Sequence, residues 1–228
     1  MEYLIDENGN ELLLRNNKDQ VMMEWEKPYM EACIDELQPK GDVLEVGFGC
    51  GYSAKQIQKY KPKSHTIIEC HPDVIKHGIN MGFHEASLEY PNFKWKQGVW
   101  QEVLPELDQF DEIFFDTYTP IDADVINEEI IRITQAGGWP VFPLEIEREF
   151  EIFIDQILES HTNSGARISA YMNSSSPSIN KSKSNNCNDY ITQHPKIKYT
   201  EKIIDIKVSK NCDYYKNSKA LIPMIEKR

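Results

Sequence analysis

The 228-residue sequence predicts a single α/β domain built on a doubly wound, mostly parallel sheet of seven strands with helices on both faces. Three observations support this fold class. Short β-branched runs alternate with segments of helical periodicity, which is typical of a parallel sheet. The first of these runs ends in a glycine-rich turn, and 40% of the residues are hydrophobic, enough to bury one substantial core.

The first twenty residues contain the turn sequence Glu7-Asn8-Gly9-Asn10 between two short apolar stretches. This pattern predicts a small hairpin or a flexible leader, which could act as a lid. Apolar residues then recur at helical spacing. Because proline is favoured in the first turn of a helix, we expect a helix to begin at about Pro28.

The next part of the chain alternates strand and helix. The run at residues 43–46 is β-branched and leads into glycines, which is typical of a buried parallel strand. Further strands are predicted at residues 65–70, 93–96 and 110–116, with helices at residues 53–60 and 73–80.

In the C-terminal half, fewer sequence patterns indicate helices and strands. We expect a helix at residues 123–135, a fifth strand at 139–144 if its prolines lie at the margins, and a helix at 145–160. Strands are also predicted at residues 202–208 and 214–225. Residues 173–190 are rich in Ser, Asn and Lys, which predicts a flexible loop.

Composition limits the classes of partner. The chain has 37 acidic and 25 basic residues and a net charge of -12, so nucleic acid is not expected as a substrate. An acidic surface favours a cationic substrate, although it also serves solubility alone. The five cysteines are scattered, so we expect no disulfide framework and no metal site. We expect no export signal or membrane span, and a cytoplasmic location with the nucleus as an option. The oligomeric state stays open.

The central motif is a glycine-rich turn that directly follows an acidic residue, with a second acidic residue at the end of the next strand. Glu45 precedes the pattern G-x-G-x-G formed by Gly47, Gly49 and Gly51 at the junction of the first strand with a helix. Gly47 permits a sharp turn, and the other two glycines let a ligand approach the backbone. Glu69, at the end of the second strand, can accept hydrogen bonds from both hydroxyls of a ribose. Together they predict a site for an S-adenosyl ligand.

Two other interpretations of this motif remain. A nicotinamide cofactor is the less favoured one, because the dinucleotide fingerprint G-x-G-x-x-G/A has Tyr52 at its third position, where the ring would obstruct close packing. A catalytically silent S-adenosyl-binding or regulatory protein is the other. The P-loop pattern G-x-x-x-x-G-K-[ST] is absent from the sequence, which excludes the simple nucleoside triphosphate site.

Asp116 ends the fourth predicted strand, and the carboxyl ends of such strands face the ligand crevice. A helix cap is the alternative interpretation of this residue. With Asp116 in place, the order and spacing of several segments resemble the guanidinoacetate N-methyltransferase family, including the fungal-type arginine δ-N-methyltransferases. The segments that carry the resemblance are residues 21–30, 44–49, 67–74, 98–101 and 116–118, and residues 212–215 show a weaker resemblance.

The resemblance implies a Rossmann-like S-adenosylmethionine-dependent N-methyltransferase that acts on a small guanidino compound or on a protein arginine. It implies that S-adenosylmethionine is bound by Met22, Met30, Gly47, Phe48, Gly49, Cys50, Gly51, Tyr52, Ser53, Glu69, Cys70, His71, Trp100 and Gln101. Core packing is the alternative for Trp25 and for the methionines, Met30 included.

The resemblance further implies that Glu26 and Asp116 are the catalytic pair that holds the guanidinium, with Tyr118 as a wall of the substrate site. Two carboxylates suit a planar cation with paired N–H donors, and Asp116 is the preferred proton acceptor. A solvated carboxylate at a helix start is the alternative for Glu26. Where the family has a polar Asn after its fifth strand, this chain has Phe142-Pro143-Leu144-Glu145, which leaves the acceptor and the activity itself open.

Overall fold

The computed structural model describes residues 1–117, 149–172 and 191–228. The predicted helix at 123–135, the predicted strand at 139–144 and the predicted loop at 173–190 lie outside these residues.

A three-stranded antiparallel sheet forms the N-terminal part of the chain, with the strands β1 (Glu2–Ile5), β2 (Glu11–Arg15) and β3 (Asp19–Met23) in that order. The predicted hairpin is therefore present, and a third strand follows it. Asp6 Oδ1 accepts the backbone N–H groups of Asn8 and Asn10, both at 2.8 Å, and Gly9 takes a φ of 83°. A short carboxylate and a glycine thus close the turn locally, which is why its sequence could be recognised.

The main sheet has seven strands, in the order β6-β5-β4-β7-β8-β10-β9. They are β4 (Asp42–Val46), β5 (Ser64–Glu69), β6 (Phe93–Gln97), β7 (Phe110–Phe115), β8 (Thr162–Ala170), β9 (Ile197–Asp205) and β10 (Lys219–Lys227). Neighbours from β6 to β8 are parallel, and β10 is antiparallel to both of its neighbours. The predicted seven-stranded, mostly parallel sheet is confirmed.

Five described α-helices accompany the sheet: α1 (Lys27–Leu37), α2 (Tyr52–Lys59), α3 (Pro72–Asn80), α4 (Trp100–Val103) and α5 (Glu149–Ser160). Short 3-10 helices at Glu24–Glu26 and Leu104–Glu106 precede α1 and follow α4. Apolar side chains of α1, α2 and α3 are buried in one core cluster and those of α4 and α5 in another, so both faces of the sheet are covered. None of the helices in the described residues has the length and apolar character needed to cross a membrane.

The strand beside β7 is a finding that the sequence pattern did not predict. This strand is β8, which pairs with β7 and has Ile168 opposite Ile113 and Ala170 opposite Phe115. The alternating buried positions of β8 include Ala166, Ile168 and Ala170. Because two of these three are small, the strand carries a weak hydrophobic signal.

The last two strands begin earlier or later than predicted. β9 begins at Ile197 rather than at residue 202, and β10 begins at Lys219 rather than at residue 214. Tyr215 is buried in a small cluster with Trp25 and Cys212, so its apolar character serves packing outside the sheet. Strand boundaries are set here by cross-strand pairing, which local composition does not reveal.

Candidate active site

A pocket of about 280 Å³ lies at the carboxyl ends of β4, β5 and β7. The strand order reverses around β4, and ligands of open α/β sheets bind at such a reversal. The volume is near the lower end of ligand pockets, roughly 300–1,000 Å³. The lining residues are Met1, Leu13, Val21, Met22, Val46, Gly47, Phe48, Gly49, Ile68, Glu69, Cys70, His71, Val74, Gly98, Val99, Trp100, Gln101, Asp116, Thr117 and Glu149.

The glycine turn brings bare backbone against the neighbouring strand end. Gly47 has a φ of 86°, and a Cβ on it would lie 1.9 Å from the carbonyl oxygen of Asp116. Its N–H donates to the carbonyl of Ile68 at 2.9 Å, which ties the turn to β5. Gly49 has a φ of 53°, and a Cβ there would lie 2.7 Å from Met22 Sδ. Both positive φ values favour glycine, and the sharp turn predicted at Gly47 is present. At Gly49 the atom that a Cβ would meet belongs to Met22, whereas the sequence predicted the approach of a ligand there.

Glu69 is held at the edge of the pocket by the backbone on both sides. Its Oε2 accepts the N–H of Phe48 at 3.1 Å, and its Oε1 accepts the N–H of His71 at 2.8 Å. Each carboxylate oxygen can accept a further hydrogen bond, because an ionised carboxylate has about four lone-pair sites. Glu69 can therefore receive two ribose hydroxyls without losing the contacts that orient it.

Glu45 is a structural residue that lies in β4, just before the glycine turn. It is fully buried, its Oε2 lies 2.9 Å from Nε2 of His65, and its Oε1 accepts the hydroxyl of Ser53. Nδ1 of His65 in turn lies 2.9 Å from Nε2 of Gln58. These hydrogen bonds fix the start of α2 against β4 and so stabilise the glycine turn between them.

Nine of the residues predicted to bind the cofactor line the pocket: Met22, Gly47, Phe48, Gly49, Glu69, Cys70, His71, Trp100 and Gln101. The other five, which lie outside the lining, are Met30, Cys50, Gly51, Tyr52 and Ser53. Four of these, residues 50–53, belong to the turn and the start of α2. The N–H of Cys50 donates to Met22 Sδ at 3.2 Å, and the hydroxyl of Tyr52 donates to Glu11 at 2.9 Å. Met30 is fully buried on α1.

Asp116 lines the pocket, as predicted, and the pKa of its carboxyl is raised. Burial, then the charges of Glu45 and Glu69, raise the pKa of Asp116 to about 7. Its backbone N–H donates to Val46 at 2.9 Å, so the end of β7 is fixed to the end of β4. A partly buried carboxyl that titrates near neutrality can take up a proton during a reaction.

Glu26 lies next to this region but outside the pocket lining. It is 2% exposed, and burial raises its pKa to about 8, with a further contribution from the charge of Asp116. Its Oε1 accepts the N–H of Met23 at 2.8 Å and the hydroxyl of Tyr214. The structure thus brings the two predicted carboxylates within electrostatic reach of each other. Tyr118, the third predicted substrate residue, lies outside the described residues.

Glu149 is a pocket residue that the sequence did not single out. Its Oε1 accepts Nε1–H of Trp100 at 2.9 Å, and its Oε2 accepts the hydroxyl of Thr117 at 3.2 Å. It therefore joins the α4 side of the pocket to the residue after Asp116. Several glutamates surround it in the sequence, so no pattern distinguishes this one.

The N-terminal sheet covers one side of the pocket. The hydroxyl of Tyr3 donates to the carbonyl of Gly49 at 2.7 Å, and its ring stacks on His77 with centroids 3.6 Å apart. The terminal ammonium of Met1 lies 3.0 Å from Asp73. Through these contacts β1 bridges the glycine turn and α3, and Leu13 of β2 reaches the pocket wall.

The strand order, the glycine turn and an acidic residue, Glu69, at the end of β5 are typical of the fold of class I S-adenosylmethionine-dependent methyltransferases. Solved structures agree with this class. The chain is similar to an O-methyltransferase from Bacillus cereus in complex with SAH, with a TM-score of 0.56 and 11% identity, over 89% of this chain and 80% of that one. It is also similar to the O-methyltransferase TomG from Streptomyces achromogenes in complex with SAM, with a TM-score of 0.54 and 10% identity, over 90% and 81%.

A family model described as guanidinoacetate N-methyltransferase matches residues 6–136, more than half of the chain. The chain belongs to the guanidinoacetate N-methyltransferase family. It is 39% identical over 126 residues to Protein arginine N-methyltransferase 2 of Candida glabrata, which is 51% of this chain and 30% of that protein. Identity to the Aspergillus fumigatus protein of the same name is 34% over 143 residues, or 58% and 33%. The match spans about a third of the length of these curated relatives.

Proposed function

We propose that this protein transfers a methyl group from S-adenosylmethionine to a nitrogen of a guanidino group and releases S-adenosylhomocysteine. One observation carries the proposal: Asp116 opens on the cofactor pocket, and a second carboxylate, Glu26, lies within reach of its charge. Two carboxylates that lie near each other suit a planar cation that offers paired N–H donors. Membership of the guanidinoacetate N-methyltransferase family supports the same reaction.

The residues of the pocket fit the cofactor. Gly47 and Gly49 line the pocket with bare backbone, and the missing Cβ at Gly47 lets the ends of β4 and β7 lie close together. Glu69 is oriented to accept the two ribose hydroxyls, and Trp100 and Gln101 also line the pocket. When bound, the cofactor supplies an electrophilic methyl group on a positively charged sulfur.

The two carboxylates would bind and orient the acceptor. A guanidinium is protonated at neutral pH, so its nitrogens are poor nucleophiles. Carboxylates that hold positive charge on two nitrogens leave more lone-pair character on the third. Asp116, with a pKa raised to about 7, can accept the proton that this nitrogen loses. Holding the nitrogen at near-attack distance contributes several kcal/mol more, within the range of about 7–11 kcal/mol for well-oriented reactants.

A bound guanidinium would also stabilise the ionised forms of Glu26 and Asp116. Without a cation, the raised pKa values of Glu26 and Asp116 keep protons on the pair near neutrality. A bound cation favours the ionised carboxylates, so acceptor binding is expected to release protons. The net charge of -12 adds a long-range attraction for cations.

The acceptor is proposed as a guanidino compound of the arginine or guanidinoacetate type. Relatives named Protein arginine N-methyltransferase 2 support an arginine, and the name of the family model supports guanidinoacetate. We further propose that the N-terminal sheet closes over the bound cofactor, because Tyr3 already bridges Gly49 and His77.

A methyl-transfer assay with labelled S-adenosylmethionine tests the reaction. Guanidinoacetate, free arginine and a cell protein extract serve as parallel acceptors. We expect label in at least one of them, and we expect Asp116→Asn to abolish transfer while cofactor affinity stays within about threefold. Asp108→Asn, at an exposed position before β7, is the matched control and keeps full activity. Absence of label in every acceptor, or full turnover by Asp116→Asn, contradicts the proposal.

A further inference from the structure

Tyr214 contacts the proposed substrate carboxylate from the far end of the chain. It lies between β9 and β10, and its hydroxyl donates to Oε1 of Glu26. The same oxygen accepts the N–H of Met23 at 2.8 Å. Within the described residues, Oε2 of Glu26 accepts no hydrogen bond. One carboxylate oxygen is therefore held by two donors, which sets the direction of the other.

The segment that carries Tyr214 is anchored independently of Glu26. Tyr215 is buried, its ring lies 5.1 Å from that of Trp25, and its hydroxyl donates to the carbonyl of Lys219 at 2.8 Å. Cys212 is buried in the same cluster. Tyr214 itself is only partly buried, with its ring centroid 6.2 Å from that of Trp25. Tyr215 and Cys212 anchor this segment, so the hydroxyl of Tyr214 is not needed for that purpose and can donate to Glu26.

The surroundings of Glu26 hold acids and hydroxyls. Asp116, Tyr171, Tyr214, Tyr215 and Cys50 interact with it electrostatically, and none of these described groups is a cation. The hydroxyl of Tyr171 is buried, lies close enough to Glu26 to lower its pKa, and still forms no well-aligned hydrogen bond within the described residues. A cationic group with several N–H donors would satisfy both the hydroxyl and the two carboxylates.

We propose that Tyr214 is a positioning residue for the acceptor: its hydroxyl fixes one oxygen of Glu26 and thereby presents the other oxygen to the guanidinium. The proposal rests on the proposed function, since it assigns Tyr214 to the substrate side of that same site. It goes beyond packing, because a tyrosine that served packing alone would be replaceable by phenylalanine at no cost to acceptor binding.

Removing the hydroxyl has a defined effect. The hydrogen bond from Tyr214 lowers the pKa of Glu26, so Tyr214→Phe raises that pKa above its present value of about 8. A larger share of Glu26 is then protonated at pH 7, and its remaining charge is less well directed. Loss of a hydrogen bond to a charged group changes an equilibrium constant about tenfold or more. We therefore expect KM for the acceptor to rise about tenfold at pH 7. The ratio of the two KM values should shrink as the pH approaches 9.

The test compares Tyr214→Phe with Tyr215→Phe, a matched loss of one hydroxyl from the adjacent residue. For each variant, KM and kcat for the best guanidino acceptor are measured from pH 6.5 to 9, and cofactor affinity is measured by calorimetry. We expect Tyr214→Phe to raise KM with a smaller effect on kcat and none on cofactor affinity. Tyr215→Phe keeps the ring contact with Trp25 that anchors the loop, and we expect it to match the wild type. In a Glu26→Gln background, Tyr214→Phe should have no further effect on KM. An unchanged KM profile, or equal losses in the two variants, overturns the proposal.

A carboxyl titration separates this proposal from the proposed function. The pKa of Glu26 is followed by NMR in the wild-type protein and in both variants, with no acceptor present. We expect it to rise in Tyr214→Phe alone, and an unchanged value refutes the positioning contact. If no guanidino compound is methylated by the wild type, the proposed function fails, whereas the titration still decides whether Tyr214 sets the state of Glu26.

Discussion

Replacing Asp116 by Asn should make the protein more stable at alkaline pH although it removes a proposed catalytic group. The carboxyl of Asp116 is partly buried at the end of β7, and its ionised form is disfavoured by burial and by the charges of Glu45 and Glu69. An asparagine has nearly the same shape and no charge. The variant therefore keeps the packing and loses the cost of ionisation.

The magnitude follows from the raised pKa. A value of about 7 in the folded state, against 3.8 ordinarily, corresponds to about 4 kcal/mol at pH 8, because each pKa unit is worth about 1.4 kcal/mol. Partial exposure of Asp116 screens part of this cost, so we expect about half of it, roughly 2 kcal/mol. A folded-state pKa above the unfolded value means that the cost is absent below about pH 4, grows as the pH rises, and is complete above pH 7.

Thermal unfolding of the wild type, Asp116→Asn and the control Asp108→Asn at pH 5 and pH 8 measures this effect. About 2 kcal/mol corresponds to a rise in Tm of about 4–8 °C for a chain of this length. We expect that rise at pH 8 for Asp116→Asn, at most half of it at pH 5, and none for the control. A lower Tm for Asp116→Asn at pH 8, or the same gain at both pH values, refutes the reasoning.

Three further changes test the cofactor pocket. Glu69→Gln should weaken S-adenosylmethionine binding about tenfold, because a neutral amide accepts fewer hydrogen bonds from a ribose; calorimetry would show an unchanged affinity if that contact were absent. Gly47→Ala should lower the Tm and abolish cofactor binding, since the new Cβ would lie 1.9 Å from the carbonyl of Asp116, and a normally folded, cofactor-binding variant would disprove the steric argument. Glu149→Ala should release Trp100, visible as altered fluorescence together with a several-fold weaker affinity; identical spectra and affinity would show that the contact is unimportant.

The sequence was informative where function depends on neighbouring residues. The turn at Gly47 and Gly49 needs positive φ and bare backbone, and both requirements appear directly as glycines. Glu69 was recognisable because a parallel strand of known length places its end beside that turn. The hairpin around Gly9 is likewise closed by residues adjacent in sequence.

Contacts between distant segments were beyond sequence reasoning. β8 pairs with β7 through small buried residues, so its hydrophobic pattern is weak. Glu149 is one glutamate among several, and only the fold brings it to Trp100 and Thr117. Tyr214 lies 188 positions from Glu26, and nothing local signals that its hydroxyl meets that carboxylate.

The structure of a complex with S-adenosylhomocysteine and the preferred guanidino acceptor measures the central claim most directly. We predict that the guanidinium nitrogens lie about 2.7–3.2 Å from carboxylate oxygens of both Asp116 and Glu26, with the hydroxyl of Tyr214 still on Oε1 of Glu26. An acceptor bound elsewhere, with Glu26 turned away from it, would contradict the assignment of this carboxylate pair.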